Sequence, residues 1–475
     1  MPPCRVFPLL ATVLATASAL VAATPPPTST GKAAQPNIIV LLCDDLGYGD
    51  LGCFANPSIH TPHLDQLARD GVKFTDCYSA SPVCSPSRAG LMTGRNPNRL
   101  GIRDWIPPQS GIFMRPSEIT VAQLLKKAGY RTLHAGKWHL NSRTDGSERT
   151  PGEAGFDHWL YTQNNAAPSH LNPRNFIRNG APAGPLNGPS SHLVVAEATR
   201  WLDTTRANEN SRNATPSPFF LNLWFHETHE PVAAAEEFLA PYLLEKNPDR
   251  RHYWGAATQM DAAVGQLLQY LDDHGLRENT FVFFTSDNGP ETLDRYKGAQ
   301  RSHGSPGPLR GMKLHITEAG YRVPGIIRWP GHAQPGTTSA EPICNLDFLP
   351  TACALAGIAP PSDRALDGAN LLPLFTSQAI KRPHPLYWQY DFAISAPWSI
   401  ALRDGPWKLL ATTALDHFEL YHLATDIAEK QNVARQHPER VQAMVATIRT
   451  LRSEIAAEGA RSGNPPARQT VTKKP

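Results

Sequence analysis

The sequence predicts an α/β protein: a mixed sheet flanked by helices, followed by a smaller antiparallel sheet with one helix. Three observations predict it. Dense apolar runs alternate with amphipathic segments from about residue 36 to 375, the pattern of strands covered on both faces. Each strong apolar run is followed at once by a cluster of polar residues. Beyond residue 375 the apolar runs shorten and follow one another across tight turns.

The 475-residue chain is long enough to bury a large core. Its formal charge of +3, without a long basic run in its body, argues for no nucleic-acid partner. Residues 1–23 read as a signal peptide, with Arg5 ahead of the apolar run Val6–Ala23. The protein is therefore expected to be secreted or periplasmic. That run is short for a membrane span and no later segment is long and apolar enough to cross a bilayer, so no stable span is expected. Residues 24–35 read as a linker, 36–375 as the main α/β domain, 376–458 as a small α+β subdomain and 459–475 as a disordered tail. Cleavage after residue 23 would remove Cys4 and leave six cysteines: Cys43, Cys53, Cys77, Cys84, Cys344 and Cys353. Export permits disulfides, but the spacings give no pairing and no CxxC zinc pattern. Asn213-Ala-Thr215 is a glycosylation sequon.

Four strands stand out: Asn37–Cys43, Arg131–Ala135, Pro218–Phe225 and Thr280–Thr285. Thr61 before Pro62 and then Gly71 bracket one helix, Gln123–Ala128 stops at Gly129, and His252–His274 stops at Gly275. Further on, Pro385–Tyr390, a hairpin over Ser399–Leu410 turning at Arg403-Asp404-Gly405, and Phe418–His422 read as strands. Asn432–Glu458 reads as a helix.

The residues just beyond the four strong strands matter most. The first strand ends in Asp44-Asp45, the second runs into Gly136-Lys137-Trp138-His139, the third into His226-Glu227-Thr228-His229-Glu230, and the fourth into Asp287-Asn288-Gly289. Ligands of open α/β sheets bind at this carboxyl edge. One such Asp is as often a turn or cap residue; four polar ends together point to a site. Asp44, Asp45, Asp287 and Asn288 form an oxygen-rich set suited to Ca²⁺, with Mg²⁺ as the alternative. A zinc pair would want more histidines. In Cys84-Ser-Pro-Ser-Arg88, Ser85 suits a helix cap, Pro86 the first helical position and Gly94 the stop. Cys84 is then expected just before a helix N-terminus, which favours an anion, with Arg88 one turn inside. A buried structural cysteine or an activated thiol fits the same residue.

Continued by Ala-Gly-Leu-Met-Thr-Gly94-Arg95, this segment resembles the signature of the type I, formylglycine-dependent sulfatases, in their arylsulfatase A-like and N-acetylgalactosamine-6-sulfatase-like branch. Asp44-Asp45-Leu-Gly47, Thr61-Pro-His-Leu-Asp65, Gly136-Lys-Trp-His139, Thr228-His-Glu-Pro231, Ser286-Asp-Asn-Gly289 and Arg310-Gly-Met-Lys313 resemble family blocks in the family's order. The resemblance implies an alkaline-phosphatase-like fold and the hydrolysis of sulfate esters. It implies that a formylglycine-generating enzyme converts Cys84, whose hydrated aldehyde attacks sulfur. It implies that the metal is held by Asp44, Asp45, Asp287, Asn288 and residue 84. Arg88 would support the nucleophile and the metal, and Lys137 and Lys313 would pair with sulfate oxygens. His229, with Lys313, would protonate the leaving oxygen, and His139 would take a proton as the aldehyde is restored.

The implied substrate is a sulfated carbohydrate or an aryl sulfate. Two departures from the family pattern are Glu318-Ala319-Gly320, where Glu-Gly-Gly is common, and Asn141, where Gly is usual. Two other readings remain: a phosphodiester or phosphonate hydrolase of the same superfamily, and a non-catalytic glycan-binding homologue. Residues 161–189, with Asn164, Asn165, His170 and Arg174, are candidates for a specificity loop. Residues 291–308, with Arg295, Lys297, Arg301 and His303, form either a basic rim or an ordinary solvated loop. His134 reads as structural or as part of the rim, and His226 is left outside the catalytic set.

Overall fold

In the computed structural model, the residues described are 35–212, 216–291 and 295–461, together with Met1 and Pro3. The expected signal peptide, nearly all of the linker, the sequon at Asn213 and the tail beyond 461 lie outside them. In chain order the strands of the main sheet are β1 (Asn37–Cys43), β2 (Val72–Tyr78), β3 (Arg131–Lys137), β4 (His158–Thr162), β5 (Ile177–Arg178), β6 (Ala181–Pro182), β7 (Phe219–Trp224), β8 (Thr280–Ser286), β9 (Arg322–Arg328), β10 (Thr337–Ser339) and β11 (Ile343–Cys344). They lie in the order β10-β2-β9-β8-β1-β7-β3-β4-β5-β6, with β11 also on β2. A second sheet holds β12 (Leu386–Gln389), β13 (Ile400–Asp404), β14 (Trp407–Ala411) and β15 (Phe418–His422) in sequence order, all antiparallel.

The centre of the main sheet is parallel, and its register creates the site. Leu42 lies opposite Trp224, Cys43 opposite Ser286, and Gly136 opposite Trp224. Four parallel strands therefore end at one level, and the polar residues after them meet. Both faces of the sheet are covered, which explains the unbroken apolar runs. Ile38, Val40 and Leu42 pack on the side of the Cys84–Thr93, Val121–Lys127 and Phe348–Leu355 helices. Ile39, Leu41 and Cys43 face the Pro62–Arg69, Ser190–Ser211 and Pro248–Asp273 helices. Among the described residues no helix is long and apolar enough to cross a membrane, and all six described cysteines are free.

Local chemistry moves several expected boundaries. The Pro248–Asp273 helix begins four residues before His252, because the Asn247 side chain accepts from the amides of Asp249 and Arg250. The last helix begins at Pro438 rather than Asn432. Proline disfavours helix for the residue before it, and the Asn432 carboxamide is held outside by the amides of Leu420 and Ala434. That helix continues to Arg461. Ser85 does not cap its helix: Cys84 is already the first helical residue, Val83 precedes it, and the Ser85 hydroxyl accepts from Ile106 N at 3.0 Å. Gly94 ends the helix in the left-handed region, as expected.

The small sheet packs one face on the C-terminal helix, through Ile400, Leu402, Leu409 and Leu420 against Met444, Val445 and Ile448. Its other face, with Leu386, Trp388, Ala401, Leu410 and Tyr421, shares a cluster with Tyr78, Cys84, Leu314 and Tyr321 of the main sheet region. Buried charges tie the two sheets. Lys408 of β14 lies 2.8 Å from both Glu318 Oε1 and Glu429 Oε1. Arg403 of β13 pairs with Asp76, which also pairs with Arg322. Breaking such a pair leaves an uncompensated buried charge. Lys408→Met strands Glu429 and leaves Glu318 only Arg322 and the Tyr78 hydroxyl, and should destabilise the fold by about 3–5 kcal/mol, read as a lowered denaturant midpoint; a change below about 0.5 kcal/mol would show the network to be energetically neutral.

Candidate active site

The residues after β1, β3, β7 and β8 converge on the N-terminus of the Cys84–Thr93 helix. Arg88, one turn inside and fully buried, reaches across to the sheet edge. Its Nε donates to Asp287 Oδ2 at 2.8 Å, and a terminal nitrogen lies 2.7 Å from the same oxygen. That terminal nitrogen also stands 3.5 Å from Asp44 Oδ1, and the other terminal nitrogen donates to the Lys137 carbonyl at 2.9 Å. The guanidinium also lies over the Trp224 ring, 5.1 Å from its centroid. Burial alone would weaken the charge of Arg88, but Asp287 and Asp44 hold its pKa above the usual value.

Two lysines complete the cationic side. Lys137 Nζ donates to Asp44 Oδ2 at 2.7 Å. Lys313 Nζ lies 2.7 Å from Asp45 Oδ1 and 3.5 Å from Glu291. Burial opposes the charge of Lys313, yet Asp45 and Glu291 hold it well above the ordinary range. Burial raises Asp44, but Lys137, His229 and Arg88 outweigh it and keep it well below the usual carboxylate value. Asp45 is pushed up to about 6 by burial despite Lys313. Burial likewise lifts the Cys84 thiol to about 11, with Lys137 and Lys313 the largest opposing charges. An unmodified thiol so placed is poorly ionised, which argues against an activated thiolate.

Asp45 and Thr228 adopt positive φ values of 60° and 76°, and the Thr228 hydroxyl donates to the Asp44 carbonyl at 2.6 Å. Gly136 has φ 110°, and a Cβ there would stand 1.8 Å from the Trp224 carbonyl oxygen. Only glycine lets β3 turn this closely past β7 to deliver Lys137.

The two expected histidines differ. His229 Nδ1 donates to the Glu230 carbonyl at 2.6 Å, which leaves Nε2 facing Asp45 Oδ2 at 3.6 Å. Burial depresses its pKa to about 3. His139 makes no direct contact with the carboxylates. Its Nε2 lies 3.1 Å from the Ile106 carbonyl and so carries the hydrogen, while the buried Nδ1 has no hydrogen-bond partner. Burial, then Lys137, holds this ring well below the usual histidine pKa.

Among the oxygens at the end of β1 and β8, Asp44 Oδ1 and Asn288 Oδ1 are buried without a hydrogen-bond partner. Potential ligand atoms of Asp44, Asp45 and His229 all lie within 4.8 Å of one another. Asp287 spends Oδ2 on Arg88, while Oδ1 accepts from Asp45 N at 3.3 Å. An oxygen-dominated set with stranded lone pairs, and an Asp45 carboxyl that the protein's own cations leave under-compensated, fits a hard divalent cation.

Sequence reasoning missed Glu291, which accepts two hydrogen bonds from Arg295, at 2.7 and 2.6 Å, besides its contact with Lys313. The Arg295 partner four residues on was the available signal. The loop is less basic than its composition, because Arg301 is likewise engaged, by Asp249 and the Val232 carbonyl. His134 is a core residue, hydrogen-bonded to Asn222 and packed among Trp138, Phe156 and Trp224. His226 is fully buried, 2.7 Å from Thr162 Oγ1 and beside His170. Ala319 is buried where the family pattern has the first of its two glycines, and it is Gly320 that closely approaches the backbone, at His315.

A family model described as Sulfatase matches residues 36–358. The chain belongs to the sulfatase family. A second model, N-sulphoglucosamine sulphohydrolase, C-terminal, matches residues 312–456. The sulfatase chain is 35% identical over 458 residues to N-acetylgalactosamine-6-sulfatase of Rattus norvegicus, covering 90% of this chain and 80% of that protein. It is 36% identical over 392 residues to arylsulfatase A of Homo sapiens, covering 79% and 75%. A crystal structure of Ps i-CgsB in complex with k-i-k-neocarrahexaose superimposes with a TM-score of 0.75 at 28% identity, covering 89% of this chain and 93% of that one. As a sulfatase the protein is a sulfuric ester hydrolase, and its fold is the alkaline-phosphatase-like one expected. Gly136→Ala should lower thermal stability by at least about 1 kcal/mol and sulfate release with it, since the turn that carries Lys137 must shift; retention of both would show that the turn tolerates a Cβ.

Proposed function

We propose that this sulfatase hydrolyses sulfate esters of sugars through Cys84 after its conversion to formylglycine, with a calcium ion at Asp44, Asp45, Asp287 and Asn288. The observation that carries the proposal is the place of Cys84. It starts a helix among two buried ammonium groups and the oxygen-rich end of the sheet. A sulfate ester resists attack because its own oxygens repel nucleophiles, so a site must neutralise them and assist the leaving oxygen. The hydrated aldehyde would supply the nucleophilic oxygen, and the cation would acidify it and draw charge from the ester.

The chain's own residues do the rest. Lys137 and Lys313 hold the sulfate oxygens through charge-assisted hydrogen bonds. Arg88 fixes the sheet edge against the helix through Asp287 and opposes the burial that pushes that carboxyl up to about 7. The leaving oxygen takes its proton from the pair of Lys313 and His229, which share Asp45. Lys313 carries that proton in the resting protein, and Nε2 is the His229 atom free to relay it. His139, with its hydrogen fixed on Nε2, offers Nδ1 as the base that accepts a proton when the aldehyde is restored. The sugar substrate is supported by the relatives, whose names include a sulfatase of N-acetylgalactosamine. The signal-like N-terminus supports a location outside the cytoplasm.

Cys84→Ala should cut sulfate release by about a thousandfold or more, and mass analysis of the active protein should find the aldehyde at position 84. Phosphate or phosphonate ester cleavage without sulfate release would transfer the site to the phosphonate-hydrolase reading. Full conversion with glycan binding but no turnover would support a non-catalytic homologue. Stripping the protein with a chelator should lower its melting temperature. Calcium at roughly 100-fold above its Kd should restore about 2.7 kcal/mol, and Asn288→Ala should weaken that rescue. Rescue by magnesium alone would reassign the ion, and no thermal response to any divalent cation would remove it.

A further inference from the structure

Few large apolar side chains are exposed among the described residues, and several of those gather at this centre. Trp105 is 41% exposed, Tyr296 38% and Ile394 49%. Trp105 lies against His139, with ring centroids 6.4 Å apart. Tyr296 stacks with Arg295, the partner of Glu291. Ile394 N donates to the carbonyl of Leu314, the neighbour of Lys313. An isolated surface tryptophan needs no explanation; one placed beside buried catalytic groups does.

The backbone around Trp105 is unusually well held for a loop. Asp104 Oδ1 accepts from the Tyr390 hydroxyl at 2.9 Å and from Trp105 N at 2.9 Å. Ile106 N donates to Ser85 at 3.0 Å, and the Ile106 carbonyl receives His139 Nε2 at 3.1 Å. Trp105 thus sits between two residues anchored to the small sheet, to the Cys84 helix and to the proposed base. The indole is left partly open to solvent, and the fixed backbone on either side lowers the cost of ordering this segment on a ligand.

We infer that Trp105 is a substrate-binding platform: the ring that bears the sulfate ester stacks on the indole while its sulfate enters the Lys137 and Lys313 site. This rests on the sulfatase reading of the site and adds the residue that would hold the organic part of the ester. The face of a sugar or an aryl ring presents C–H or π surface to an indole, a contact that aromatic side chains make well. Inorganic sulfate has no such face and would ignore it.

That contrast gives the test. With the converted, metal-loaded enzyme, kcat/KM for 4-nitrophenyl sulfate and the inhibition constant of inorganic sulfate are measured for the parent, Trp105→Ala and Trp105→Phe. Trp105→Ala should lower kcat/KM about tenfold, mainly through KM. Trp105→Phe should recover most of the loss, and the inhibition constant of sulfate should stay within about twofold in all three. An unchanged kcat/KM in Trp105→Ala would overturn the proposal. So would a parallel loss of sulfate inhibition, or a fall in kcat with a shifted pH profile, each of which marks Trp105 as support for His139. Failure of the sulfatase reading is distinct, because the parent enzyme would then release no sulfate that depends on Cys84.

Discussion

The ion pair between Arg88 and Asp287 organises this molecule. It joins the first turn of a helix to the end of a strand in a space that water does not reach. An isolated charge in such a place is prohibitively costly, so each charge there fixes its neighbours. Asp287 needs Arg88, Asp44 needs Lys137, and Asp45 needs Lys313. The pattern is a network of opposite charges laid across the carboxyl edge of a parallel sheet. Its geometry follows from strand register, and its remaining strain is borne by a few oxygens without partners.

That arrangement also explains why the candidate catalytic groups stand on rigid supports. Lys137 and Arg88 stand on a strand and a helix, Asp44, Asp45 and Asp287 follow directly on strands, and the turn that carries Lys313 is held by its amide on the Pro290 carbonyl at 2.8 Å. Their backbones are set by Gly136, by the positive φ of Asp45 and Thr228, and by the close approach of Gly289 to the Ala319 carbonyl. A site built this way holds its charges in position before any substrate arrives, which is the condition under which electrostatic stabilisation is most effective.

Much of this was legible in the chain. A strand buried on both faces writes itself as a continuous apolar run, so Asn37–Cys43 could be bounded to the residue. The polar residues behind the central strands could be found because the carboxyl edge is where ligands bind. The Ser190–Ser211 helix escaped notice: over 22 residues its buried face includes Ser190, Ser191 and Glu197 as well as Val194 and Leu202, so the apolar period is weak. Glu197 is tolerated there because Arg178 and His158 meet it across the fold. The same holds for Glu318 and Lys408, 90 residues apart. Pairings of that kind are properties of the folded chain and leave no local mark. Ser85 shows a subtler failure, in which a good local cap was outbid by a distant amide.

Cys84 is 3% exposed, and the small sheet built from the last quarter of the chain shares its apolar cluster. A residue so enclosed is closed to any other enzyme once folding is complete. The conversion proposed for it therefore has to happen on a chain still extended, before β12 to β15 have docked. The final competence of the centre would then be set by timing: a molecule that folds first keeps a thiol that burial holds un-ionised.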